Sequence, residues 1–384
     1  MAAEVVARHR KQASDGRFPI NFVNNTRGFW RDDQIYIWGL SLNEQGIWCY
    51  MRPDGSLSPM RKADESAPNH LTKNGRNYAN YSFTVAQAKA ANFRSWTHVR
   101  GGRLYISVGA PVFIPVDDNA WGGPDLLNPN DPNIDVPYDW YEYTYVYNTD
   151  VSFGGNTGMV DQFGVPLTHR VVNAALGIDV TKGATGTRDQ ILAQYNSFVP
   201  AAFKGLASQY RVKAPYKDSF RPGLANANYL QPYIDQVWNQ YTNGDFVFAR
   251  PGDTFRGRVV AGRLQFTWNG AGPFFIDKPS TFDVFGCTGN LAKGSTMELA
   301  LEAEFCGAFN RGVAHNTANW HNPASYYQNG TMQNEYAHFW HVNGINGKAY
   351  AFAYDDTNDQ SSVIIIPNLP SHPYPDSVTI SVGW

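Results

Sequence analysis

Little in this sequence offers a covalent or metallic staple. Its 384 residues include only three cysteines, Cys49, Cys287 and Cys306, so no disulfide framework can define the fold. Cys-x-x-Cys and Cys/His zinc spacings are absent, and no apolar run approaches the ~20 residues needed to span a bilayer. Charge is scarce as well. Lys, Arg, Asp and Glu make up 17% of the chain with a net charge of −2, against roughly 25% charged residues in ordinary soluble chains. The basic field of a nucleic-acid binder is therefore missing, and neither a nucleic-acid nor a membrane partner is expected.

Rings are plentiful instead: 15% of residues are aromatic and 43% are hydrophobic, which excludes global disorder. Many rings with few charges suit carbohydrate binding, because sugar C–H faces stack on aromatics and sugar hydroxyls bond to amides and carboxylates. An aromatic core in a β-rich protein fits the composition equally well. Cys287 lies in a Gly-rich turn and Cys306 on a predicted helix. A Cys287–Cys306 disulfide with Cys49 free is preferred, with three free thiols as the alternative. Residues 1–10 lack the apolar stretch of a signal peptide, which leaves open a removed leader or a protein that is not exported.

Up to about residue 180 the pattern is β: runs at 18–23, 34–38, 103–108 and 140–147 are separated by Gly, Asn, Asp and Pro clusters. The period then changes. Thr187 can cap a helix carrying Ile191, Tyr195 and Phe198, and Pro232 opens one that buries Ile234, Val237, Trp238 and Tyr241 and stops at Gly244. Ser295 and Glu298 form a capping box before a helix to about Arg311, and a shorter helix is expected over 334–341. Strands return at 246–248, 255–260, 264–268, 363–366 and 377–382, and the run 350–356 reads as a strand ending in Asp355 and Asp356. The expected architecture is a β domain over 1–180, completed by strands within 346–384, and a mixed α/β domain over 181–345.

The best chemical constellation is 139–147 followed by 156–167. Strand alternation puts Glu142, Thr144 and Val146 on one face and Tyr141, Tyr143, Tyr145 and Tyr147 on the other. A hairpin-length connection containing Gly154 and Gly155 lets the next strand return and bring Asp161 near Glu142. Two carboxyls facing one groove suit glycoside hydrolysis, one protonated to release the leaving oxygen and one ionised to activate water or attack carbon. Acids on adjacent strands are also common surface decoration. Asp355 and Asp356 could line the same cleft or bind turn amides. The segment from Gly289 to Thr296 imitates a phosphate loop, but its lysine precedes the second glycine. Glu335, His338 and His341 are read as polar residues of a helix, and no metal or other cofactor is expected.

At residues 140–144 paired with 159–167, and in the ending 349–356, the chain resembles thaumatin-like proteins. Plant members of that group are shorter and dense in disulfides. The fuller resemblance, carried also by 102–107, 233–238, 306–311 and 336–341, is to glycoside hydrolase family 64, the laminaripentaose-producing endo-β-1,3-glucanases. It implies a mainly β fold with an α/β part: a thaumatin-like β-barrel or sandwich domain and a mixed α/β domain forming a crescent around a wide groove for β-1,3-glucan. It implies an inverting mechanism with Glu142 as general acid and Asp161 as general base, their carboxyls roughly 6.5–9.5 Å apart. Thr144, Asn156 and Thr157 match polar residues near the scissile bond. The sequence departs from the family pattern at Gly158, where a Thr or Ser often stands. Asn156 replaces the extra acid of plant thaumatin-like proteins. The expectation is a secreted, monomeric endo-β-1,3-glucanase that releases short laminarioligosaccharides. The alternatives are a non-catalytic β-glucan-binding protein and a hydrolase of another polysaccharide. Asn-x-Ser/Thr sequons occur at Asn24, Asn80 and Asn329.

Overall fold

The computed structural model describes residues 15–149, 152–367 and 374–384, so the segment 1–10 lies outside the described residues. The first half of the chain forms β1 (Ile20–Asn25), β2 (Ile35–Leu42), β3 (Trp48–Met51), β4 (Leu57–Pro59), β5 (His98–Val108), β6 (Tyr138–Val146), β7 (Phe153–Thr157), β8 (Leu167–Asn173) and β9 (Ile178–Gly183). Next come helices α1 (Arg188–Phe198) and α2 (Gln231–Asn243), the meander β10 (Phe246–Arg250), β11 (Asp253–Val260), β12 (Arg263–Trp268) and β13 (Ala271–Asp277), and helices α3 (Thr281–Gly286), α4 (Thr296–Asn310) and α5 (Glu335–Asn343). Strands β14 (Ile364–Ile366) and β15 (Ser377–Gly383) finish the chain.

Two sheets enclose the first core. One runs β14-β7-β6-β5-β2-β3-β4, with Phe83–Thr84 paired on β2; the other runs β1-β15-β8-β9. In the second sheet β1 and β15 are parallel, so the end of the chain is laid beside its beginning. Ile37, Leu104, Ile106 and Tyr141 from the large sheet meet Ile20, Val171, Ile380 and Val382 from the small one. Burying one such aliphatic side chain is worth about 1.5–3 kcal/mol. The opposite face of the large sheet carries a smaller core that includes Trp38, Tyr105, Tyr138 and Trp140.

The helices form where their caps place them. Thr187 accepts from the Gln190 N–H at 3.2 Å, Ser295 and Glu298 close the capping box of α4, and Asn334 accepts from the Ala337 N–H at 3.1 Å. Helix α2 buries Ile234, Val237, Trp238 and Tyr241, as the spacing predicts. These helices and the meander share a second core, which also takes in Met159, Phe163, Ala349, Ala351 and Phe352. No helix among the described residues is long and apolar enough to cross a membrane.

Three expectations need correction. The run 350–356 is a chain of turns, not a strand: Tyr354 adopts φ +65°, and the Asp355 carboxylate accepts the Ala351 N–H at 3.0 Å, folding the backbone back on itself. Gly154 and Gly155 lie inside β7 instead of the connection before it. The Cys287–Cys306 disulfide is not formed, and all three cysteines are buried free thiols. Cys287 ends α3 in the left-handed region and donates to the Ala353 carbonyl at 2.8 Å. Burial, with Cys287 adjacent, holds the Cys306 thiol well above its usual pKa.

Candidate active site

The pleat of β6 sorts its residues. Tyr141, Tyr143 and Tyr145 are at most 3% exposed and belong to the core between the sheets, so the alternating tyrosines are not groove rings. Glu142 and Thr144 turn the other way and line a depression of about 350 Å³. Across from Glu142 stand Arg103 on β5 and Asn156 on β7. The β5–β6 register shifts between Tyr143 and Tyr145, where Gly101 takes φ +57°. This bulge directs the Gly101 N–H to the Thr144 hydroxyl at 3.3 Å. On β7, only glycine fits at 155, because a Cβ there would overlap the Tyr141 hydroxyl. Trp48 from β3 and Trp121 supply the aromatic walls.

Glu142 is held by a cation. Arg103 donates to its carboxylate and to the Tyr105 hydroxyl at 2.9 Å, with the guanidinium 4.9 Å from the Trp140 ring centroid. Burial works against the Arg103 charge, but Tyr105 and Glu142 more than offset it and raise its pKa. Asp161 follows β7 on a short loop and receives the Tyr216 hydroxyl, with the Lys217 ammonium at 3.4 Å. Burial first, and then the Asp161 charge, hold Tyr216 far above its ordinary pKa. Tyr216 is therefore a donor to Asp161 at neutral pH. Both carboxylates remain open to solvent, Glu142 with 32% of its side chain exposed and Asp161 with 29%.

The loop that carries Asp161 is clamped from several directions. Met159 donates its N–H to the Tyr350 carbonyl at 2.7 Å and accepts the Tyr336 hydroxyl at 2.6 Å. The Asp161 carbonyl accepts the Ala214 N–H at 2.9 Å. Gln162 donates to the Tyr138 carbonyl at 2.7 Å and accepts from Arg211 at 3.0 Å, while Asp139 accepts the Gly164 N–H at 2.9 Å. Burial, opposed by Arg103 and reinforced by the charges of Glu142 and Asp161, pushes Tyr105 up to about 12. One hydroxyl thus senses both carboxylates. Tyr350 is raised by burial and then by the charges of Asp356 and Glu142.

The other predicted residues divide. Asn156 lines the depression, and its Oδ1 is buried with no hydrogen-bond partner among the described residues. Thr157 points the opposite way: it pairs with Tyr141 and is only 3% exposed, which removes it from the groove. Asp355 is also removed. It is fully buried and bonded to Arg311 at 3.1 Å and His341 at 3.0 Å; burial would raise its pKa, and these partners outweigh it and leave it lowered. Asp356 is exposed, and crowding around its carboxyl, with the Asp355 charge adding, raises its pKa. His338 bonds Glu335 at 2.9 Å. Among the described residues no three His, Cys, Asp or Glu groups cluster to hold a metal.

A family model described as beta-1,3-glucanase, Glyco_hydro_64, matches residues 16–382. The chain belongs to glycoside hydrolase family 64. It is 33% identical to a β-1,3-glucanase domain of this family from Clostridium beijerinckii, with a TM-score of 0.88 over 96% of this chain and 98% of that one. A laminaripentaose-producing β-1,3-glucanase from Paenibacillus barengoltzii, solved also in complex with laminarihexaose, is 32% identical, with a TM-score of 0.77 over 97% of this chain and 76% of that one. Among curated proteins, a glucan endo-1,3-beta-glucosidase from Cellulosimicrobium cellulans is 30% identical over 280 residues, 68% of this chain and 50% of the relative. The chain spans about half the length of the curated relatives it matches.

The family's chemistry meets residues that motif reading had missed. Arg103 lies in a run that carries the resemblance, and strand alternation could have placed it opposite Glu142. Tyr216 and Lys217 gave no signal. They sit in a short turn 55 residues beyond Asp161 in sequence and reach it only through the pairing of Gln162–Phe163 with Val212–Lys213.

Proposed function

We propose that this chain hydrolyses internal β-1,3-glucosidic bonds of β-1,3-glucan by an inverting mechanism and releases short laminarioligosaccharides, laminaripentaose among them. The observation that carries the reading is Glu142 in an aromatic-walled depression, with Asp161, a second half-open carboxylate, on the loop that follows β7, in a chain of a β-1,3-glucanase family. Asp161 is the general base: Tyr216 and Lys217 orient it, leaving lone pairs for a water proton. Glu142 is the general acid. It must carry a proton as the leaving oxygen departs, and it then gives up its contact with Arg103 for that oxygen. Water attacks the anomeric carbon, its proton goes to Asp161, and the Glu142 proton goes to the departing glucan.

Thr144, Asn156 and Asp356 are proposed to hold the sugar around the cleaved bond. Asn156 lines the depression, where its side-chain amide can hydrogen-bond a sugar hydroxyl. We further propose a secreted monomer of two units, a thaumatin-like β unit and a mixed α/β unit, flanking the groove in a crescent. The separate cores of the sandwich and of the helices support this division. Incubation with laminarin tests the reading. Short β-1,3-oligosaccharides with the α-anomer formed first, by proton NMR, are expected. Retention on curdlan without release of reducing ends would make the chain a binding protein instead, and a β-anomer formed first would contradict inversion.

A further inference from the structure

Strand β3 puts Trp48 and Tyr50 on one face, with Cys49 and Met51 buried on the other. Trp48 belongs to the depression beside Glu142, whereas Tyr50 opens on a separate cavity of about 310 Å³ whose lining includes Arg52, Arg61, Asn80, Tyr81 and Gln87. Trp38 and Tyr81, buried rings of the smaller core, pack between the two. Trp48 meets Trp121 at 5.7 Å between centroids, Trp121 meets Trp38 at 6.4 Å, and Trp38 meets Tyr81 at 6.3 Å. Tyr81 stacks on Tyr50 at 3.8 Å with the planes 7° apart.

This last stack is held in place. The Tyr81 hydroxyl donates to Asp64 at 2.7 Å and accepts the Arg61 N–H at 3.1 Å, and Asp64 in turn pairs with Arg61 at 2.9 Å. Tyr50 is therefore laid flat on a ring that cannot turn, with partial exposure of its own. A rigid ring at the floor of a cavity, rimmed by amide and guanidinium donors, is a surface for a pyranose: the ring takes the C–H face and the donors take the hydroxyls. The Arg61 charge is already matched by Asp64.

We propose that the Tyr50 cavity is a second glucan-binding site, which holds the β-1,3-glucan chain at a distance from the bond cut between Glu142 and Asp161. The proposal rests on the glucanase reading above. Trp48 and Tyr50 stand two residues apart on one face of β3, which sets this cavity next to the catalytic depression and identifies the occupant. A chain long enough to reach both sites gains from the second as an intramolecular contact, and a chain confined to the first does not.

Tyr50→Ala tests this, with Tyr50→Trp to restore a stacking surface. Rates on curdlan and on laminarihexaose are measured for each, together with retention on curdlan. Loss of one stacking platform should lower the curdlan-to-hexaose activity ratio about fivefold and weaken retention, and Trp should restore both. An unchanged ratio and unchanged retention would overturn the site. Equal losses on both substrates, uncorrected by Trp, would also overturn it and mark Tyr50 as structural. A wild-type chain that cuts no glucan overturns the function reading; if it still binds curdlan through Tyr50, the second site stands alone.

Discussion

Glu142 and Asp161 each lie against a cation and stay open, with side chains 32% and 29% exposed; Asp355 lies against Arg311 and His341 and is fully closed. Residue type and kind of partner are alike, and room is the difference. Arg311, His341 and the Ala351 N–H occupy the Asp355 oxygens at 3.0–3.1 Å. Nothing is left to accept from water or to give to a leaving group. The open pair keeps carboxylate oxygens exposed to solvent, and this separates chemistry from architecture among acids that look equivalent in sequence.

Changing the closed acid should have the largest effect on the fold. Asp355→Asn leaves the buried Arg311 without its counter-charge, which costs about 3–5 kcal/mol by analogy with other broken buried pairs. Denaturant unfolding checks it, and a loss below about 1 kcal/mol would erase the distinction between closed and open acids. The two faces of β7 sharpen the comparison at a smaller scale. Asn156→Ala should lower kcat/KM on laminarin about tenfold, the equivalent of one lost hydrogen bond of roughly 1.4 kcal/mol. The neighbouring Thr157→Val should leave activity unchanged and alter stability by less than about 1 kcal/mol, because it replaces an unpartnered buried hydroxyl with a methyl. The reverse order of the two activities would mean that the sides of β7 are misassigned.

Much of this was legible in the sequence where the signal is local. Caps at Thr187, Ser295 and Asn334 and the apolar face of α2 predicted their helices, and alternation in β6 separated Glu142 from its tyrosines. What the sequence concealed is set by distant contacts. The run 350–356 has strand composition, yet Asp355 folds it into turns, because Arg311, just past the end of α4, and His341 on α5 both anchor its carboxylate. Thr157 resembles a groove residue until the register with Tyr141 fixes its direction. Tyr216 and Lys217 come from a turn that no spacing rule connects to Asp161, and the Trp48 and Trp121 walls likewise depend on how the strands stack.

The central claim is that Glu142 performs a proton transfer while the rest of the site binds glucan. Glu142→Gln keeps the size of the side chain and most of its hydrogen bonding but cannot deliver the proton. Hydrolysis of laminarin by the purified variant should fall by at least about 10²-fold, the lower range for loss of a general acid, while curdlan retention and the unfolding midpoint stay close to wild type. Full hydrolytic activity in a folded Glu142→Gln variant would contradict the account.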